Sequence, residues 1–165
     1  MRRLLPTGRP VDLADAYADL EPPPRWVALG MVGSLDGAVA VDGTSGGLGG
    51  HGDRAAFRAL RSLPDVVVVG LGTARAESYR PTWPARHVPA RAARGQPPLP
   101  RLALVTGSGE VPEDLPALDD PERPPLVVTT RQGATVATPR VAGRAEVVAV
   151  AATDGGRVDA RAARR

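Results

Sequence analysis

DVVVVGLGT, residues 65–73, decides the fold. Four consecutive valines between Asp65 and Gly70 make a short, all-apolar, β-branched run, the pattern of a strand buried on both faces. Such strands belong to parallel sheets covered by helices. Gly70-Leu71-Gly72-Thr73 follows at the strand's carboxyl end, where open α/β sheets hold their ligands. Glycines there let backbone N–H groups come close to a ligand, and Thr73 can cap a following helix or donate to a phosphate oxygen. A plain strand-to-helix turn also needs small residues. The stretch is neither the GxGxxG dinucleotide fingerprint nor a Walker A loop, since no Lys follows.

Downstream, RLALVT (101–106), PLVVTT (125–130) and AEVVAVA (145–151) repeat the strand-like pattern. The spacing leaves room for short right-handed crossovers, so the expected architecture is a layered α/β fold. Residues 80–100, rich in Pro and Arg, read as a long surface loop. Upstream, Asp53 is placed to N-cap a helix over RAAFRALRSL, with Ala56, Phe57, Leu60 and Leu63 on one face and Pro64-Asp65 ending it. WVALGMVG (26–33) reads as a buried strand and AVAVDG (38–43) as a second, with Asp36-Gly37 turning between them. Residues 43–52 hold six glycines and read as a loop. Residues 1–25 form a lead-in segment. It contains a short helix with Leu13, Tyr17 and Leu20 at helical spacing, stopped by Pro22-Pro23-Pro24. Residues 26–165 form the domain proper, of a size that suits one compact unit.

Composition excludes several chemistries. The chain has no Cys, so disulfides, thiolate catalysis and thiolate-bound metals are out. His51 and His87 lie far apart without companion ligands, so no metal site is expected. No apolar run reaches membrane-spanning length, and no signal-peptide core follows the two N-terminal arginines, so a cytoplasmic protein is expected. The net charge of +3 and pI near 10.4 invite a nucleic-acid partner. However, all 21 basic residues are Arg, mixed with 18 acids, and Lys, Ile and Asn are absent. GC-rich codons explain that bias, and no basic stripe with interleaved aromatics appears.

Taken in order, four features resemble the pyrimidine reductase domain of riboflavin biosynthesis, which has a dihydrofolate-reductase-like fold. They are the apolar run into Ser34-Leu35-Asp36-Gly37, the Gly43-Thr44-Ser45-Gly46 loop, the helix ending in Leu60-Arg61, and DVVVVGLGTARAE from Asp65 to Glu77. The resemblance implies a mainly parallel central sheet flanked by helices. It also implies NADPH as cofactor and a ribosylamino-pyrimidine phosphate as small-molecule substrate. Residue by residue it places Gly47, Gly70, Gly72, Thr73 and Glu77 at the cofactor, Ser45 and Arg61 at the substrate, and Asp36 at the reacting carbon as the catalytic position. The cofactor supplies the hydride, so neither a triad nor a metal is needed.

Three departures from the family are visible. Ala38 stands where a basic residue is common, and SYRPTWP replaces a substrate-contacting segment. The family's C-terminal part, with a glycine-rich turn and the last strands, has no counterpart here. That implies a truncated sheet with an open edge, which leaves room for a homodimer. It also raises an alternative: an inactive remnant that binds NADP(H) weakly or only self-associates. A third reading, an unrelated nucleotide- or phosphate-binding α/β module, rests on VVVVGLGT alone.

Overall fold

A computed structural model describes residues 10–18, 25–80 and 85–161. They fall into two compact units, Met1–Asp65 with Trp83–Pro100, and Val66–Thr82 with Arg101–Arg165. Each is taken by itself.

The second unit carries the sheet. Strands β1 (Val66–Gly70), β2 (Arg101–Val105), β3 (Leu126–Thr130) and β4 (Glu146–Val150) all run parallel in the order β1-β2-β3-β4. Register pairs Val66 with Arg101, Ala103 with Leu126, and Leu126 with Glu146. The four apolar runs from Val66 onward are therefore strands, and the parallel α/β expectation holds.

When strand order follows chain order, right-handed crossovers put every connection on the same face. The core shows that arrangement. Leu102, Leu104 and Val127 pack with Val111, Leu115, Ala117 and Leu118 of the β2–β3 connection, and with Ala137 and Val141 of the helix that follows β3. Leu71 and Ala74, from the helix after β1, complete the cluster.

The one-sided arrangement corrects the reading of β1 as covered on both faces. Val67 and Val69 pack against the core, but Val66 is exposed and Val68 is 65% exposed. β1 is also the sheet's first strand. Among the four strands, β2 buries three consecutive residues, Leu102, Ala103 and Leu104, the small Ala103 lying on the face opposite the other two.

The first unit is built on α1 (Leu13–Ala18) packed against α2 (His51–Arg61). The expected first helix is present over 13–18, whereas Leu20 and Pro22–Pro24 lie outside the described residues. Asp53 does not cap α2. The N-cap is Gly50, with no side-chain bond, and Asp53 sits in the first turn, where its charge favours the positive helix end. Phe57, expected on the apolar face, is exposed under the Arg61 guanidinium, while Ala59 is the buried residue.

The strands expected at 26–33 and 38–43 do not form. Trp26–Met31 is an irregular stretch with Leu29 82% and Met31 75% exposed. Among the described residues no neighbouring strand takes up its backbone groups. An apolar run becomes a strand only where a partner pairs with it. Of the second segment only an isolated Val41–Thr44 bridge remains. The turn between them is as expected, with Gly37 at φ +89 and its N–H donating to the Ser34 carbonyl at 3.0 Å.

Part of the expected 80–100 loop is helical: a 3-10 turn at Ala85–His87 leads into α4 (Val88–Ala93). Pro89 lies in the first turn of that helix, where its missing N–H costs nothing. Two further helices, α3 (Leu71–Ala76) and α5 (Arg131–Val141), belong to the sheet unit.

Candidate functional site

At the carboxyl end of β1 the chain passes directly from Gly70 into α3. Gly70 is the N-cap, Gly72 and Thr73 form the first turn, and Glu77 is the C-cap, its N–H donating to the Thr73 carbonyl at 2.9 Å. Thr73 and Glu77, four residues apart, share a helix face, and Thr73 is exposed. A side chain added at Gly72 would meet only open space, so this glycine leaves free approach to the backbone. Four of the five expected cofactor residues, Gly70, Gly72, Thr73 and Glu77, thus lie along α3 from its N-cap to its C-cap, while the fifth, Gly47, belongs to the first unit.

The other four, Asp36, Ser45, Gly47 and Arg61, lie in the first unit. Ser45 is exposed, and its carbonyl accepts from Leu48 N–H at 3.0 Å. Gly47 packs against Val41, whose Cβ lies 2.9 Å from where a Gly47 side chain would begin. Arg61 holds its guanidinium 4.9 Å from the centre of the Phe57 ring.

Asp36 is tied into its own turn. Ser34 Oγ donates to Asp36 Oδ1, and Ala38 N–H donates to Ser34 Oγ at 2.9 Å. Ser34, then the Ala38 backbone, hold the Asp36 carboxyl below its ordinary value of 3.8. At neutral pH the group is therefore a fixed anionic acceptor rather than a proton donor. Replacing Ser34 by Ala is expected to let the Asp36 pKa rise, as followed by the side-chain carboxyl carbon in an NMR titration. An unmoved titration would remove Ser34 as the cause.

A second constellation at the same sheet edge lies outside what the sequence pattern singles out. Strand β2 runs into Thr106-Gly107-Ser108-Gly109, beside the Gly70 end of β1, since Gly70 registers with Val105. Strand β3 ends in Thr130, whose Oγ1 accepts from Gly133 N–H at 2.9 Å and so caps α5. The same hydroxyl donates to the Gly107 carbonyl at 3.1 Å, fastening the loop after β2 to the start of α5. Thr106 Oγ1 accepts from Gly109 N–H at 3.3 Å. Gly109 has φ +75, and a side chain on it would collide with the Gly133 carbonyl. A local signal exists all the same: glycines and hydroxyls directly after LALV repeat the logic of GLGT, and a Thr before a polar helical segment is an N-cap.

The donor set at this edge, hydroxyls of Thr73 and Ser108 with open backbone at Gly72, has the chemistry to hold an anionic cofactor. Among the described residues no group of His, Cys, Asp or Glu is placed to hold a metal ion, and no helix is long and apolar enough to cross a membrane.

The family model described as the RibD C-terminal domain matches residues 25–163. Among solved structures, a pyrimidine reductase-like protein from Corynebacterium diphtheriae is similar at 28% identity and a TM-score of 0.60. That match covers 72% of this chain and 52% of the other, so this chain spans about half the length of that protein. No curated protein matches the sequence.

Proposed function

The chain belongs to the RibD C-terminal domain family, and on that premise we propose that it is an NADPH-dependent reductase acting on the ribosyl group of an amino-pyrimidine phosphate or a related compound. One observation carries the proposal: the helix that starts directly at the carboxyl end of β1 carries Gly70, Gly72 and Thr73 at its beginning and Glu77 at its end, in a chain of this family. Thr73 and the backbone of Gly70–Gly72 would hold the cofactor's phosphates, and Glu77 a hydroxyl or amide donor on it. When bound, NADPH supplies the hydride that turns an opened ribose into a ribityl chain. Arg61 and Ser45 would bind the substrate, and Asp36, kept anionic by Ser34, would accept a hydrogen bond from it and orient it.

The test is nicotinamide fluorescence on the purified chain, with thermal melting in parallel. Saturable binding should raise the melting temperature. Thr73→Ala should weaken NADPH by roughly tenfold, the loss of one hydrogen bond to a charged group. A cooperatively melting protein with no NADPH binding would overturn the reading.

A second reading rests on the exposed Trp26–Met31 stretch, which pairs with no strand among the described residues: a chain that binds NADP(H) weakly or self-associates without turnover. NADPH binding without substrate reduction, together with concentration-dependent sedimentation, would favour it.

A further inference from the structure

Among the described residues of the first unit, the buried polar residues Ser62, His87 and Arg91 play no part in the proposed reaction. His87 closes the 3-10 turn ahead of α4 and is 6% exposed, and its Nε2 makes no hydrogen bond among the described residues. Arg91, one helical turn on and 1% exposed, fastens three backbone carbonyls. Its Nη1 donates to Ser62 O at 2.7 Å and Pro64 O at 2.9 Å, and its Nε to Pro97 O at 2.8 Å. Gln96 adds bonds from its side-chain amide to Leu63 O at 2.8 Å and Asp65 Oδ1 at 2.9 Å. Together they seat α4 and the segment after it on Ser62–Asp65, the stretch that runs in sequence into β1.

A neutral imidazole fits this setting. An imidazolium does not, because burial denies it water and its charged surroundings are mostly cationic. Arg86 on the same turn and Arg94 at the end of α4 disfavour a second positive charge, Arg91 adds a third guanidinium on the same helix, and among the described residues only Asp12, just ahead of α1, favours it. We propose that His87 is an acid-sensitive latch, whose protonation lifts α4 away from the Ser62–Asp65 segment. Burial first, then Arg86, hold the His87 pKa below its ordinary 6.5. The seated form therefore binds fewer protons than the opened one. Its advantage is complete above about pH 6.5 and is lost as pH falls through the seated-state value.

Amide hydrogen exchange on the full chain tests this. Arg94, Gly95 and Gln96 donate their N–H groups back to Arg91 and Ala92 carbonyls and report on seating. After correction for intrinsic exchange, the opening constant at these amides should rise by up to about tenfold per pH unit below pH 6.5, while the β3 amides stay unmoved. His87→Gln, neutral at every pH, should flatten the dependence. If the wild-type amides show no such rise, or His87→Gln keeps the same slope, the latch is wrong. The imidazole's own NMR titration is expected below 6.5, and an ordinary value would overturn the proposal even if the variant fails to fold.

Discussion

Gly109→Ala is expected to cost about 3 kcal/mol or more of stability, and with it the ordered sheet edge. Two penalties combine. The position has φ +75, where a Cβ costs about 1 kcal/mol. The larger penalty is steric, since the added methyl would collide with the carbonyl of Gly133 in the first turn of α5. Backbone cannot swing aside as a side-chain tip can. Relief would require moving either α5 or the loop after β2, and both are held by Thr130 through its bonds to Gly107 and Gly133. Gly143→Ala is the control, because Gly143 has φ +80 with open space around it. It should cost only the conformational part, about 1 kcal/mol. Urea denaturation of both variants separates the two penalties, and equal losses would show that the backbone contact carries no weight.

Arg91→Met should be comparably damaging to the first unit. It keeps much of the apolar stem but strands the carbonyls of Pro64 and Pro97 and leaves that of Ser62 only the longer bond from Arg94 Nη2 at 3.4 Å. A buried acceptor left without its donor costs about 1–3 kcal/mol, so the expected loss is about 3 kcal/mol or more. Arg91→Lys should recover only part of it, since one ammonium on a flexible stem cannot reproduce a planar fork aimed at carbonyls on two segments. Thermal melts of the three proteins should give the order wild type, Lys, Met. If Arg91→Met melts with the wild type, the carbonyls find other donors and the clamp is not structural.

The sheet was readable because each strand is a short apolar run set between breakers, and such a run advertises its burial locally. Burial is not pairing, however. WVALGMVG carries as strong a strand pattern as RLALVT, yet only the second has neighbours that accept its backbone bonds, and that depends on distant sequence. The same non-locality left Val68 exposed, since which face of β1 is covered follows from strand order rather than from four valines. Proline misled at residues 80–100, because Pro89 reads as a breaker until its place in the first turn of α4 is known. Arg91 was invisible among 21 arginines, since nothing local distinguishes a buried clamp from a solvated side chain. Of the candidate site, GLGT was legible because its glycines follow a strand directly. The Thr106–Gly109 loop carried the same signal, and Thr130 the cap signal.

Because spatial order and chain order coincide in the sheet, the ribosome delivers the strands in the order in which they pair. β1 emerges first, and each later strand needs only to dock on an edge already made. No strand has to be threaded between two others. The register partners Val66 and Arg101, Ala103 and Leu126, and Leu126 and Glu146 also draw closer in sequence at each step, so loop closure grows easier as synthesis proceeds. The sheet is built to assemble progressively during translation, with one growing edge exposed to the crowded cell at each stage.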